Sequence, residues 1–127
     1  MNILETIAFS PNQAIVFDID DTLICSKTDR LIDSVYELYQ YCLSKSYHVC
    51  IITARAGTIS NMHATIKQLQ SLNITGYERL YFRKPLDRQV ARFKKLARKS
   101  IPYKVIMSIG DQPGDFGEYG GIGVLVK

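Results

Sequence analysis

Short apolar stretches alternate along this chain with longer segments in which apolar residues recur at helical spacing. An apolar run of roughly four to six residues is too short for a helix and predicts a buried strand. Apolar residues at every third or fourth position predict a helix that packs on such strands. The predicted strands are Ala14–Ile19, His48–Thr53, Leu80–Phe82, Lys104–Ile109 and Gly123–Val126. The predicted helices are Asp29–Ser44, Thr58–Leu72 and a third that Asp87 caps and that runs to about Lys99.

Strands that alternate with helices predict right-handed crossovers and a parallel sheet with helices on both faces. A chain of 127 residues is long enough to bury one core. We therefore predict a single domain over residues 1–127, of the α/β class. It would be a three-layer α/β/α, Rossmann-like domain with about five parallel strands.

The composition, 46% hydrophobic and 22% charged, is ordinary for a soluble globular protein. No apolar run approaches the roughly 20 residues that span a bilayer, and the N-terminus does not resemble a signal peptide. The three cysteines are an odd number without zinc-like spacing, which predicts free thiols in a reducing compartment. These observations predict a cytoplasmic protein without a membrane partner.

The segment around the third predicted helix is strongly basic. Between Arg79 and Lys104 there are ten Lys and Arg residues and a single acid, Asp87, which favours an anionic partner. The apolar positions of the helix predict a buried face made of Val90, Phe93, Leu96 and Ala97. The opposite face, either solvated or a binding site for a polyanion, would carry Arg88, Arg92, Lys95 and Lys99.

Polar residues end the first four predicted strands, and the ends of parallel strands share one edge of the sheet, where ligands bind. Asp18 and Asp20 could both face one site if the backbone stops being extended after the first strand. Two such carboxylates need a cation or a shared proton, and oxygen ligands suit Mg²⁺. One carboxylate can attack phosphorus while the other moves a proton, although an Asp-rich turn can also simply cap a strand and a helix.

Three segments resemble motifs of the haloacid dehalogenase (HAD) superfamily, and the likeness runs from about Ala14 to Val126. Residues 16–23 (Val-Phe-Asp-Ile-Asp-Asp-Thr-Leu) resemble its first motif, and residues 51–55 (Ile-Ile-Thr-Ala-Arg) resemble its second. Gly110-Asp111, followed by Asp115, resembles the fourth.

The resemblance implies that Asp18 is the nucleophile and Asp20 the general acid and base. Mg²⁺ would be held by Asp18, the backbone carbonyl of Asp20 and Asp111, with Asp115 close by or acting through water. The remaining implied contacts to the phosphoryl group or the substrate are Thr53, Thr22, Arg55 and Arg88.

The third motif, a Lys or Arg that neutralises charge beside the nucleophile, is less clear in this sequence. Lys84-Pro85 resembles its common form, whereas the segment from Arg88 to Phe93 resembles the acid-phosphatase branch, whose lysine lies at the start of the helix. We favour Lys84, with Arg88 as the alternative.

The intervals between the motifs hold one helix and one strand each, so no cap domain is expected. The resemblance then implies a phosphatase with an open site, acting on a large substrate such as a nucleic-acid end or a phosphoprotein. One alternative is a small-metabolite phosphatase closed by oligomerisation, for example as a dimer. The other is a catalytically silent phosphate-binding or regulatory module on the same fold.

Overall fold

The computed structural model describes residues 3–127, in which five parallel strands form one sheet with helices on both faces. The strands are β1 (Gln13–Phe17), β2 (His48–Ala56), β3 (Arg79–Arg83), β4 (Lys104–Gly110) and β5 (Ile122–Leu125). The α-helices are α1 (Asp33–Ser44), α2 (Ile59–Ser71) and α3 (Val90–Ser100), and short 3₁₀ helices cover Ile3–Thr6 and Pro113–Asp115.

The strand order is β3-β2-β1-β4-β5, so the chain builds outward from β1 in one direction and then returns past it to β4. The inner strands are buried on both faces: Ile15 and Phe17 of β1 join the core under α1 and α2, whereas Ala14 and Val16 join the core under α3. This arrangement confirms the predicted three-layer α/β/α fold. The switch in direction lies between β1 and β4, where an open sheet of this kind forms its ligand crevice.

Two predicted helix starts were early. Residue 29 has a left-handed backbone, with φ of 57°, and α1 begins only at Asp33. The carboxylate of Asp87 accepts the backbone N–H of Gln89 at 2.9 Å, but Gln89 is the N-cap of α3, and the helix starts at Val90. Side-chain hydrogen bonds of this kind stabilise turns as well as caps.

The predicted buried face of α3 was only partly right: Ala97 is buried and Phe93 packs against the core, but the helix is rotated relative to the prediction. Leu96 and Val90 are 48% and 38% exposed, and the buried residues of the helix are Lys94, Ala97 and Arg98. The helix therefore turns two cations toward the sheet, where they find partners at the carboxyl edge of the strands.

The segments between the strands are short in the described part of the chain. One helix joins β1 to β2, one joins β2 to β3 and one joins β3 to β4, which agrees with the absence of an inserted cap over residues 3–127. None of the helices found there has both the length and the apolar character needed to cross a membrane.

Candidate active site

A tight loop after β1 directs two acidic side chains into one pocket. The N–H of Asp18 still donates to the carbonyl of Ile109 on β4, at 3.0 Å. The carbonyl of Ile19 then accepts the N–H groups of three residues, 22 to 24, at 2.9–3.2 Å, and this ends the extended conformation. Asp18 and Asp20 both line a pocket of about 350 Å³ at this edge of the sheet.

Asp18 lies at the floor of the pocket and is only 7% exposed. Lys94 Nζ donates to its Oδ1 at 3.0 Å, and the hydroxyl of Thr22 donates to its Oδ2 at 3.3 Å. Burial raises the pKa of the Asp18 carboxyl to about 7, with Lys94 acting in the opposite direction and Asp115 adding to the rise. An ionised Asp18 therefore depends on nearby positive charge.

Asp115 fixes the loop that follows β4. Its Oδ1 accepts a hydrogen bond from Lys94 Nζ, and its Oδ2 accepts the backbone N–H groups of Asp111 and Gln112, each at 3.0 Å. This close packing requires glycine at position 110, because a Cβ there would lie 2.2 Å from Asp115 Oδ2. The glycine of the Gly110-Asp111 motif is thus explained by the space that the Asp115 side chain occupies.

Lys94 is the cation that the structure places beside Asp18. Burial alone lowers the pKa of Lys94, but Asp18 and Asp115 outweigh that effect and raise it, so the ammonium is charged. The structure therefore corrects the expectation that Lys84, or else Arg88, lies beside Asp18. Both are exposed, Lys84 directly after β3 and Arg88 before α3, whereas Lys94 reaches the pocket from the second turn of α3.

The acidic cluster suits a hard divalent cation. Oxygen atoms of Asp18, Asp111 and Asp115 all lie within 4.8 Å of one another, and Asp18 and Asp115 are buried. A single lysine between two buried carboxylates leaves the cluster short of positive charge, and carboxylate oxygens are ligands that Mg²⁺ accepts. The residues present therefore fit such an ion.

Asp20 occupies the outer wall of the pocket, and its side chain is 44% exposed. Arg55 holds both of its oxygens, with Nε donating to Oδ2 at 3.0 Å and Nη2 donating to Oδ1 at 2.8 Å. Nη1 of the same guanidinium donates to Thr65 Oγ1 at 3.2 Å and to Gln68 Oε1 at 2.8 Å on α2. Arg55 is thus anchored on one side and grips Asp20 on the other.

The sequence matches a known protein family over most of its length. The family model that describes subfamily IIIB (acid phosphatase) of the HAD superfamily matches residues 23–123. The chain belongs to this family. The family is one of acid phosphatases, which are phosphoric monoester hydrolases. The matched segment begins after Asp18 and Asp20, so the position of these two carboxylates in the pocket adds to the match rather than repeating it.

Solved structures share the fold. A chain in the structure of the Pnkp1/Rnl/Hen1 RNA repair complex superposes with a TM-score of 0.76 and 19% identity, over 91% of this chain and 42% of its own length. A chain in a structure of the Pnkp1/Rnl/Hen1 complex gives the same TM-score and identity, over 91% and 46%. This chain therefore spans less than half the length of those chains. No curated protein gives a significant match.

The other predicted contacts of this family member lie near the pocket but not all inside it. Thr22, expected to touch substrate, is fully buried and instead orients Asp18. Thr53 is fully buried within β2, three residues before its last residue, and its Oγ1 accepts the backbone N–H of Arg55 at 3.1 Å. The expected contact between Thr53 and a phosphoryl group stays a prediction, and Arg55, expected on the substrate, is paired with Asp20.

Arg98 is a second buried cation that the sequence did not reveal. It is 3% exposed, and its guanidinium donates at 3.0 Å to each of three carbonyls in the loop after β4, those of Gly114, Phe116 and Glu118. It lies four residues after Lys94 and therefore on the same helix face. That spacing, together with a chain that is unusually basic there, is the signal that could have identified the pair.

Proposed function

We propose that this chain is a magnesium-dependent phosphatase that hydrolyses phosphate monoesters through an aspartyl-phosphate on Asp18. The observation that carries the proposal is the arrangement around this residue. Its two oxygens are oriented by Lys94 and Thr22 at the floor of an open pocket, with Asp20 on the facing wall. A silent phosphate-binding module has no use for a second, differently held carboxylate at this place.

In the first step, an oxygen of Asp18 attacks phosphorus. The new bond joins that oxygen to phosphorus, the phosphorus–oxygen bond of the ester breaks, and the leaving oxygen takes a proton from Asp20. In the second step, Asp20 takes a proton from water as the water oxygen attacks the aspartyl-phosphate. The bond between phosphorus and Asp18 then breaks, which releases inorganic phosphate and restores both carboxyl groups.

The charged groups at the pocket floor follow two strands, β1 and β4, or lie on helix α3. Asp18, Asp111 and the backbone carbonyl of Asp20 would hold Mg²⁺, with Asp115 acting through water because its own oxygens already bind Lys94 and two backbone N–H groups. Bound Mg²⁺ supplies positive charge to the phosphoryl oxygens. Lys94 supplies a second, fixed positive charge there, the role that the third motif of the family requires.

Two matched substitutions test the covalent scheme. Asp18→Asn should abolish turnover of p-nitrophenyl phosphate and labelling of the protein in acid-quenched reactions with ³²P-labelled substrate, with an unchanged circular dichroism spectrum. Asp29→Asn is the control, because Asp29 is exposed and does not line the pocket. Asn also tolerates the positive φ of 57° at that position. An active Asp18→Asn protein would refute the scheme, and retained activity with chelator would refute the magnesium requirement.

We further propose that the substrate is a phosphate on a macromolecule, with a nucleic-acid end as the first candidate. A second concave surface adjoins the pocket and shares Ala91, Pro113 and Gly114 with it. Arg92 and Lys95 of α3 line this surface, together with one acid, Glu118. Two cations beside the phosphate pocket suit an extended anionic chain. The similar chains of known structure come from RNA repair complexes, which supports the same choice.

A salt titration separates a polyanion from a small ester. The KM for a 5′- or 3′-phosphorylated oligonucleotide should rise steeply as the salt concentration rises, whereas the KM for p-nitrophenyl phosphate should change little. The double variant Arg92→Gln/Lys95→Gln should raise KM for the oligonucleotide alone. An equal effect on both substrates, or none, would favour a small metabolite or a phosphoprotein.

The three free cysteines support the predicted cytosolic setting for such a substrate.

A further inference from the structure

Arg55 has the geometry of a residue that acts on Asp20 and not on the substrate. Four hydrogen bonds use its guanidinium, two to Asp20 and two to Thr65 and Gln68. Its side chain is 23% exposed, and it is absent from the lining of the phosphate pocket, which includes Asp20. These bonds use four of the five N–H donors of the guanidinium, which leaves a single hydrogen on Nη2 for any other partner.

From this geometry we infer that Arg55, Thr65 and Gln68 form a positioning network that holds Asp20 in one orientation for proton transfer. This inference rests on the proposed function, in which Asp20 is the acid and base. The bidentate pair fixes the plane of the carboxylate, while each oxygen keeps a lone pair that can carry the proton. Arg55 is a positioning residue, and α2 is the element on which the orientation of Asp20 depends.

The fixed plane matters because Asp20 is otherwise free to move. Its side chain is almost half exposed, and Asp20 lies in the loop after β1 and not in a strand. Proton transfer needs the donor oxygen within hydrogen-bonding distance of the leaving oxygen as the ester bond breaks. Without the network, Asp20 would sample orientations that turn its proton away from the pocket. In the first step, the loss would then fall on substrates whose leaving oxygen requires a proton.

The test compares two leaving groups. A p-nitrophenyl ester departs as a stable phenolate with little need of an acid, whereas a simple alkyl ester must be protonated. The measured quantity is kcat/KM, which reports the steps up to formation of the aspartyl-phosphate and leaves out the hydrolysis step that both esters share. Asp20→Asn should lower kcat/KM for the alkyl phosphate by about 10²–10⁴-fold, the usual range for general acid catalysis, and that for p-nitrophenyl phosphate much less. Arg55→Lys, which keeps the charge but loses the planar fork, should show the same selective loss at smaller size, with no KM raised by more than about twofold.

Gln68→Leu is the sharper variant, because Gln68 contacts Arg55 and lies outside the pocket. We expect a loss in kcat/KM of about tenfold for the alkyl ester, since a hydrogen bond to a charged group is worth about that much. Gln70→Leu on the exposed face of the same helix is the matched control and should leave both substrates unchanged. Thermal unfolding of each variant checks that the fold is intact.

The outcomes separate this inference from the proposed function. A selective loss in Asp20→Asn, Arg55→Lys and Gln68→Leu supports the network. A selective loss in Asp20→Asn alone overturns the network and leaves the proposed function in place. A raised KM for both esters in Arg55→Lys also overturns it, in favour of a direct substrate contact. If Asp20→Asn hydrolyses the alkyl ester normally, the proposed role of Asp20 fails first, and the network fails with it.

Discussion

The two carboxylates of the pocket, Asp18 and Asp20, are two residues apart in sequence and differ in almost every physical respect. Asp18 is 7% exposed and shares a buried lysine with Asp115, whereas the Asp20 side chain is 44% exposed and is held by an arginine that is itself anchored on α2. The comparison shows how one short loop gives identical side chains different chemistry. A buried, oriented carboxylate suits a nucleophile, and a solvent-facing one can exchange protons.

The kind of cation follows from the same difference. Lys94 is a compact charge that fits between two buried carboxylates, whereas Arg55 presents a planar fork that matches both oxygens of one carboxylate. Buried charges are expensive to leave unpaired, and half-exposed ones are not. Removing each cation should therefore have consequences of different size, which makes the comparison testable.

The largest expected effect comes from Lys94→Met. The substitution leaves Asp18 and Asp115 buried without their shared cation, so the free energy of unfolding should fall by about 3–5 kcal/mol in the presence of chelator. Phosphatase activity should be lost as well. Urea denaturation and p-nitrophenyl phosphate turnover measure the two effects. Lys95→Met, one residue along the same helix, is the control and should be nearly neutral in stability; equal losses in both variants would contradict the special place of Lys94.

A second effect, of intermediate size, is a pH dependence that belongs to Asp18 alone. Its pKa is raised from 3.8 to about 7 in the folded protein, so between these values the folded state keeps a proton that the unfolded state has lost. In chelator, this contribution to stability is therefore fully present below about pH 4 and is lost as the pH rises to about 7. Asp18→Asn removes that decline, which denaturation across this pH range would reveal.

The same measurement with Mg²⁺ provides the contrast. Metal binding requires the ionised carboxylate, so added Mg²⁺ should stabilise the wild-type protein increasingly as the pH rises through the pKa of Asp18. Asp18→Asn should respond weakly. A wild-type protein whose stability in chelator rises between about pH 4 and about pH 7 relative to Asp18→Asn would contradict the raised pKa.

Sequence reasoning placed the strands to within three residues of their observed ends but missed the two cations on the inward face of α3, for a physical reason. The strands were predictable because buried parallel strands are continuous apolar runs, and the acids that follow them gather at one edge. The burial of Lys94 and Arg98 on the inward face of α3 was not predictable, because helical periodicity assigns charged residues to the solvent. Their partners are a carboxylate 76 residues away in sequence and the carbonyls of a later loop, which no local pattern can show.

The partner of Asp20 was missed for a related reason. Arg55 follows the threonine of the second motif, and its position alone is compatible with substrate contact or with an ion pair. Only the register of β1 beside β2, and of α2 above β2, brings Asp20, Thr65 and Gln68 around it. The identity of the site residues was thus largely readable from the sequence, whereas their pairing needed the structure.

The smallest expected effect on stability is that of Arg55→Met. Its ion pair with Asp20 is partly exposed, so water can solvate the carboxylate that remains, and the free energy of unfolding should fall by only about 1 kcal/mol. Urea denaturation beside Arg92→Met, an exposed arginine of α3, gives the baseline for losing a surface cation. A loss as large as that of Lys94→Met would mean that the Asp20 pair is a structural ion pair like that of Asp18. A loss near the baseline would show that the two carboxylates differ in what holds the fold together, and that the grip of Arg55 serves orientation more than stability.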